Sequence, residues 1–289
     1  MTAHPLEMIA NEGLRERIAA IRDLPTLPET YKKLTAELGK SDVSMSRIAA
    51  IVSTDVAITA KLLHVANSAV FGARAPIESV TQSLNMLGVE NVRGIVLAAG
   101  AYQVEFSKMI PGYLPHEIYG RAINVGTKSR FIAYSLGLKR QEVDDALTAG
   151  LLHDVGKLVL LTKFASEFER ALHKSRQEST PLHIAQEQLI GSDDAVIGAF
   201  LLSTWGIPEP IVDAVAKHYT PSKYGEPALD ANAAVHLAWA SEHDRQLRKG
   251  DPTPSAFDRA YTDALGVTSQ LSSFVGLSPE AVTQGAGAR

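Results

Sequence analysis

The run Leu151-Leu152-His153-Asp154-Val155-Gly156-Lys157 holds the residue types in this chain best suited to chemistry. A histidine followed directly by an aspartate stands inside an almost wholly apolar stretch. Adjacent helical residues sit about 100° apart, so a helix through this run sets both in or near the core. A buried carboxylate is costly unless it is paired, hydrogen-bonded or bound to a metal. Imidazole and carboxylate together make half of a site for a borderline divalent cation. Lys157 lies one turn further on, within reach of a phosphate. Three readings of His153 and Asp154 stand side by side: a structural polar core, a metal half-site and a catalytic centre. For Lys157 the plain reading is a charge at the surface or at a helix end.

The elements that must position this run read as helix almost throughout, because Ala and Leu dominate and β-branched alternation is scarce. A first helix is predicted over 11–22, broken by Asp23-Leu24-Pro25-Thr26-Leu27-Pro28. Pro28 and Glu29 suit the first turn of the next helix, which Gly39 closes. Ser44 reads as an N-cap for Met45, Ile48, Ala49 and Val52, which share one apolar face. Asp55 reads as a first-turn residue capped with help from Thr54, and Gly88 as a C-cap. Helices over 55–67, from Pro76 to Gly88, and over 89–108 complete a five-helix unit. Pro111-Gly112 marks the internal boundary. Beyond it, helices are predicted over 115–136, 141–160, 162–177, 181–190, 193–205, 208–219, 230–248 and 255–266. The stretch 220–229 is predicted as a loop. The fold class is therefore all-α. The domain reading is 1–23 an N-terminal helix or linker remnant, 24–110 a helical subdomain, 111–276 a second helical subdomain, and 277–289 a flexible tail.

Composition narrows the chemistry further. The 289 residues are 45% apolar and 21% charged, a globular mixture rather than a disordered one. With no cysteine, disulfides, thiolate nucleophiles, iron–sulfur clusters and cysteine zinc sites are excluded. A net charge of −4 offers no basic excess for a nucleic-acid partner. No apolar run approaches the ~18 residues of a membrane span. The opening, Met1 to Arg17, shows no apolar signal-peptide core. The expectation is a cytoplasmic protein with neither a membrane nor a nucleic-acid partner.

The stretch Leu151–Lys157 resembles the signature of the HD superfamily of metal-dependent phosphohydrolases. The remainder of the chain resembles, more narrowly, the HDOD domain, an HD-related bacterial output module. That likeness runs from about 24 to 245. It rests on Leu24-Pro25-Thr26-Leu27-Pro28, Ile51-Val52-Ser53-Thr54-Asp55, Lys61-Leu62-Leu63 and Ala66-Asn67-Ser68-Ala69-Val70-Phe71-Gly72. It continues through Leu87-Gly88, Ala149-Gly150-Leu151-Leu152-His153-Asp154 and Trp205-Gly206-Ile207-Pro208. The segment 13–31 is similar to the stretch that follows a receiver domain in two-component response regulators of this type.

The resemblance also implies where metal ligands would fall. By alignment on Ile118-Tyr119-Gly120, a first ligand histidine falls at Arg121, whose guanidinium cannot ligate. A later ligand falls at Asp194, a histidine pair at His218-Tyr219, and a closing aspartate at Trp239. His153, Asp154, Asp194 and His218 remain as the set for any metal, and no other cofactor is implied. The expectation is a degenerate site in which Arg121 takes the metal's place and pairs with Asp154, and with Asp194 as a second partner.

The resemblance thus implies a non-catalytic signal-transduction output or adaptor, working through a signalling protein partner or a small ligand. A groove between the two helical units is the expected contact region. Two alternatives remain. One is a metal-dependent phosphohydrolase of nucleotides or cyclic dinucleotides, with Lys157 on phosphate. The other is a nucleotide sensor that binds through Arg121 and Lys157 without cleaving. Plain structural readings cover the other features. Asp193-Asp194 opens a helix, Asn67-Ser68 ends one, Pro25-Thr26-Leu27-Pro28 starts one, and Trp205 and Trp239 fill core. His64, His173, His183, His236 and His243 read as ordinary packed or exposed histidines.

Overall fold

The computed structural model describes residues 7, 9, 12–19, 27–73, 75–106, 108–246 and 255–276. Local sequence signals set most helix starts. Ser44 accepts the Arg47 amide at 3.4 Å, and Asp55 accepts the Ile58 amide at 3.0 Å, so Asp55 is itself the N-cap rather than a first-turn residue. Ser79 and Gln82 form a reciprocal capping box. Gly88, at φ +79°, ends one helix and begins the next.

The resulting order is α1 (Glu12–Ala19), α2 (Glu29–Leu38), α3 (Met45–Ser53), α4 (Val56–Ala66), α5 (Val80–Leu87) and α6 (Val89–Ala101). Then follow α7 (Pro115–Ser135), α8 (Arg140–Leu152), α9 (Val155–Lys163), α10 (Ala165–Glu178) and α11 (Leu182–Ile190). The chain continues with α12 (Asp194–Thr204), α13 (Glu209–Lys217), α14 (Ala231–Gln246), α15 (Arg259–Ala264) and α16 (Leu271–Val275). No strand occurs among the described residues, so the all-α expectation holds.

Several expectations need correction. The helix predicted over 89–108 stops at Ala101, where Gly100 packs so closely on Pro28 that a Cβ would lie 2.5 Å from that ring. The helix predicted over 141–160 is two, α8 and α9, broken at His153-Asp154. Within the predicted loop 220–229, Pro221–Tyr224 form a short 3₁₀ turn. Residues 20–26, with Leu24-Pro25-Thr26, and the tail 277–289 lie outside the described residues.

Two close helix crossings hold the centre of the molecule. A Cβ on Gly150 would lie 2.7 Å from the Cα of Gly126, which sets α8 against α7 with no room between backbones. A Cβ on Gly156 would lie 1.8 Å from the Asp194 carbonyl oxygen, and one on Gly198 would lie 2.8 Å from the Gly156 nitrogen. This second crossing seats the start of α9 on the start of α12. The small-residue stripe of α7 (Ala122, Gly126, Ser129, Ala133) is buried, as its spacing in the sequence suggests. The α6 helix also meets α8 closely, since a Cβ on Gly94 would lie 2.2 Å from Thr148 Oγ1. One pocket at that junction, between Tyr31, Arg93, Gly94, Thr148 and Ile211, has a volume of about 40 Å³. Among the described residues, no single helix is long and apolar enough to cross a membrane.

Candidate functional site

The break between α8 and α9 builds the centre. His153 stands just past the last turn of α8, and its Nδ1 lies 2.8 Å from the Gly150 carbonyl. A carbonyl only accepts, so Nδ1 carries the proton and fills an acceptor that the helix end leaves open. Nε2 is then left as a lone pair in the neutral ring, and it lies 3.3 Å from Asp154 Oδ1. The backbone is still helical at His153 (φ −56°, ψ −33°) and departs at Asp154 (φ −93°, ψ 7°), so the two side chains leave the end of α8 together and α9 starts anew behind them.

His218 repeats the device at the end of α13. Its Nδ1 lies 2.8 Å from the Val215 carbonyl, and its buried Nε2 has no hydrogen-bond partner. The His153 and His218 rings meet edge to face, with centroids 5.4 Å apart. Burial depresses the pKa of both imidazoles, that of His218 well below its ordinary value. His218 is fully buried.

The two carboxylates come from different helices. Asp193 caps α12 by accepting the Val196 amide at 2.9 Å, and Asp194 follows it into the core with no exposed surface. The two aspartates thus divide the tasks that the sequence left as alternatives: Asp193 opens the helix and Asp194 serves the centre. Between Asp154 and Asp194 lies the Lys157 ammonium. It donates to Asp154 Oδ1, to Asp194 Oδ2 at 2.6 Å and to the Tyr219 hydroxyl at 3.0 Å. The Tyr219 hydroxyl in turn donates to Asp194 Oδ2 at 3.1 Å.

This arrangement corrects two expectations. Lys157 is no surface charge; it is 6% exposed, and all three of its donors are engaged. Arg121 does not take the central place. Its Nε lies 3.7 Å from Asp154 Oδ2, while Nη1 donates to the Gly112 carbonyl at 2.8 Å and the guanidinium lies over the Tyr113 ring. The second partner expected for Arg121, Asp194, is bound by Lys157 instead. Burial opposes the charges of this cluster, yet their mutual attraction prevails. Asp154 is held below the usual carboxylate range by the cations Lys157 and Arg121, and Lys157 is held well above its ordinary value by Asp154 and Asp194.

Trp239 lies beside the centre rather than in it. Its ring meets Tyr219 at 4.7 Å and His218 at 5.5 Å between centroids. Sequence reasoning missed Tyr219 and His183. Tyr219 supplies the hydroxyl that joins Lys157 to Asp194, and His183 stacks on it at 4.3 Å with an 11° angle between planes. Burial, with Lys223 and Lys157 adding to it, lowers the His183 pKa to about 3. The adjacency His218-Tyr219 was the available signal, because it puts a second polar ring one residue past a helix end. His236 is also buried; it donates from Nδ1 to the His218 carbonyl at 2.8 Å and accepts the Asp258 amide at 3.1 Å. His236 therefore holds the segment that carries His218 in place.

A cleft of about 760 Å³ opens beside the centre, with Arg121, Asp154, Lys157, Arg176, His183 and Trp239 on its walls. This opening is at the HD run.

Comparison with known proteins decides the family. The HDOD domain model matches residues 24–221. The chain belongs to the HDOD family. An uncharacterised protein of Treponema pallidum (strain Nichols) is 26% identical over 226 residues, covering 75% of this chain and 42% of that protein. The chain thus spans less than half the length of that curated relative. An HDOD domain protein of unknown function from Geobacter sulfurreducens has the same fold, with a TM-score of 0.69 at 21% identity over 93% of this chain and 95% of the other. A Shewanella amazonensis protein whose name proposes a phosphohydrolase also reaches 0.69, at 18% identity over 97% of this chain and 100% of the other. These two likenesses establish the HDOD fold for the chain.

The HD-type fold implies a divalent metal, and the residues present do not fit one. Among the described residues, no group of three or more His, Asp or Glu side chains is arranged to hold a metal ion. An ammonium stands between the two carboxylates that a metal would use, and a guanidinium stands near the outer oxygen of Asp154.

Proposed function

We propose that this HDOD chain is a non-catalytic module of bacterial signal transduction, acting in the cytoplasm through contacts with a signalling protein partner. One observation carries the reading. The carboxylates that would hold a catalytic metal, Asp154 and Asp194, are both committed to the ammonium of Lys157. The phosphohydrolase alternative needs those same oxygens on a metal and Lys157 free to meet a phosphate. Neither group is free here. The HD run instead locks α8, α9, α12 and α13 into one rigid body, on which a binding surface can be presented. In this reading 24–110 and 111–276 are two helical subdomains and 277–289 is a tail.

The nucleotide-sensor alternative draws on a separate observation. Arg121 lines the cleft, and its Nη2 is buried without a hydrogen-bond partner. An anionic ligand in the cleft would meet the positive charges of Arg121 and Arg176 on its walls, so nucleotide binding without cleavage is the second reading.

One set of assays on the purified full chain tests these readings. The chain is incubated with manganese, iron(II) or zinc and a panel of nucleotides, cyclic dinucleotides and a chromogenic phosphodiester. No turnover above a Lys157→Met/Asp154→Asn control is the expected result. Metal-dependent turnover by the wild-type chain contradicts the proposal. A nucleotide that raises the melting temperature without being hydrolysed supports the second reading.

A further inference from the structure

We infer that the lip of the cleft, where α10 turns into α11, is a seat for one phosphate group, and that the molecule it takes is a nucleoside monophosphate. The inference rests on the nucleotide-binding reading above and deepens it, because it places the phosphate away from the HD run and limits the ligand to a single phosphate group.

A tight turn builds the seat. Ser175 Oγ donates to the Thr180 carbonyl at 2.7 Å, and the Thr180 amide donates to the Ser175 carbonyl at 3.1 Å. Ser179 closes α10 at φ +48°, the one non-glycine residue with a positive φ among the described residues. This closure sets the last turn of α10 beside the first turn of α11. Arg176, Ser179, Thr180, Leu182 and His183 all line the cleft as a result. Pro181 precedes α11 and offers no side-chain cap. The Leu182 and His183 amides therefore meet no acceptor among the described residues, and the positive end of the helix dipole is left for an anion.

His183 is a second and independent sign. It is only 8% exposed, it lines the cleft, and its ring nitrogens make no hydrogen bond among the described residues. Burial lowers its pKa to about 3, so the ring is neutral and one nitrogen carries a proton to donate. A phosphate oxygen in the cleft would accept it.

Charge selects the ligand. Arg176 is exposed at this lip and makes no ion pair among the described residues. The acids on the cleft walls are already engaged, Asp154 by Lys157 and Glu242 by Lys128 and Arg245. Lys157 has no donor left, and Arg121 is shared between Asp154 and the Gly112 carbonyl. One open guanidinium and one open helix N-terminus match one phosphate monoester, of charge about −1.5 to −2. A triphosphate carries more charge and is ordinarily held with magnesium on carboxylates, which here are taken. The cleft, at about 760 Å³, leaves space for the nucleoside. Trp239 and His243, with ring centroids 5.8 Å apart, give an aromatic wall for its base.

Calorimetric titration of the full chain with AMP, GMP, adenosine, guanosine, inorganic phosphate, and ATP or GTP with magnesium tests the seat. At least one monophosphate should bind about ten-fold or more tightly than its nucleoside and than inorganic phosphate, and no more weakly than its triphosphate. Arg176→Ala should erase the advantage of the monophosphate over its nucleoside. Because Arg176 is exposed and unpaired among the described residues, the same variant should keep the melting temperature of the ligand-free chain. A monophosphate that binds Arg176→Ala as tightly as the wild type has its phosphate elsewhere, which overturns the inference alone. A triphosphate that binds ten-fold more tightly than the monophosphate, or inorganic phosphate that binds as tightly, overturns it as well. If no nucleotide binds the wild-type chain, the nucleotide-binding reading fails and the inference fails with it.

Discussion

Lys157 is where the chemistry of this chain is decided. Its charge is buried, paired twice and bonded to the Tyr219 hydroxyl, so every donor is used inside the protein. Removing one member of such a cluster leaves the others uncompensated, which typically costs about 3–5 kcal/mol. Lys157→Met should therefore lower stability in urea by roughly that amount in the absence of metal. Replacing Asp194 by Asn in the same variant should recover part of the loss, because one stranded charge is removed. A Lys157→Met chain as stable as wild type would mean that the cluster contributes nothing net. Apolar flanks make a buried His153-Asp154 pair readable from the sequence, but they do not identify its cation. A lysine one turn past the aspartate and an arginine on the preceding helix are equivalent partners on paper. Only the break between α8 and α9, with the seating of α9 on α12, selects Lys157 over Arg121.

Among the helices, Gly156 does what the sequence did not announce. Its missing side chain lets α9 rest on the backbone of α12, and that contact brings Asp194 to Lys157. Gly156→Ala forces a Cβ against a carbonyl oxygen, a backbone atom with little room to move. Overpacking of this kind usually costs about 1–3 kcal/mol and here should reach or exceed the upper end. Gly120 is the control, because it is exposed on α7 and a Cβ added there would meet nothing within 4 Å. Gly120→Ala should be neutral or stabilising by up to about 1 kcal/mol. Thermal unfolding of both variants checks the pair, and equal effects would refute the role given to the crossing. Helix existence was legible from periodicity and caps across most of the chain. In the single helix read over 141–160, Gly150 and Gly156 flank the break at His153-Asp154 without standing at it. The break coincides with a tertiary contact that the sequence does not display, the seating of α9 at Gly156 on the backbone of α12.

Across the whole molecule, burial of several neutral histidines makes stability depend on pH. His153, His183, His218 and His236 all have pKa values below the ordinary 6.5, with burial the leading cause in each. The unfolded chain takes up protons at these positions near pH 6.5, and the folded chain resists until lower pH. Their contribution is therefore present above about pH 6.5 and is lost as pH falls toward the folded values. Asp154, held low, adds a loss below its ordinary 3.8. Asp193 acts in the opposite sense, because burial raises it to about 7 and protonation then favours the folded state. Four histidines against one aspartate should give a net loss of stability as pH falls from about 7 to about 5. Urea unfolding across that range checks this, and a flat profile would contradict it. The all-α architecture was legible as a whole, whereas the cleft beside the HD centre was not, since it depends on how α7, α10, α11 and α14 come together around it. Above all, if Lys157 fills the place of the metal in the wild-type chain, the protein as the cell makes it carries no resident ion. Elemental analysis of untagged protein, purified without chelator from metal-supplemented medium, should find only background manganese, iron and zinc. Close to one ion per chain would show that Lys157 does not hold that place.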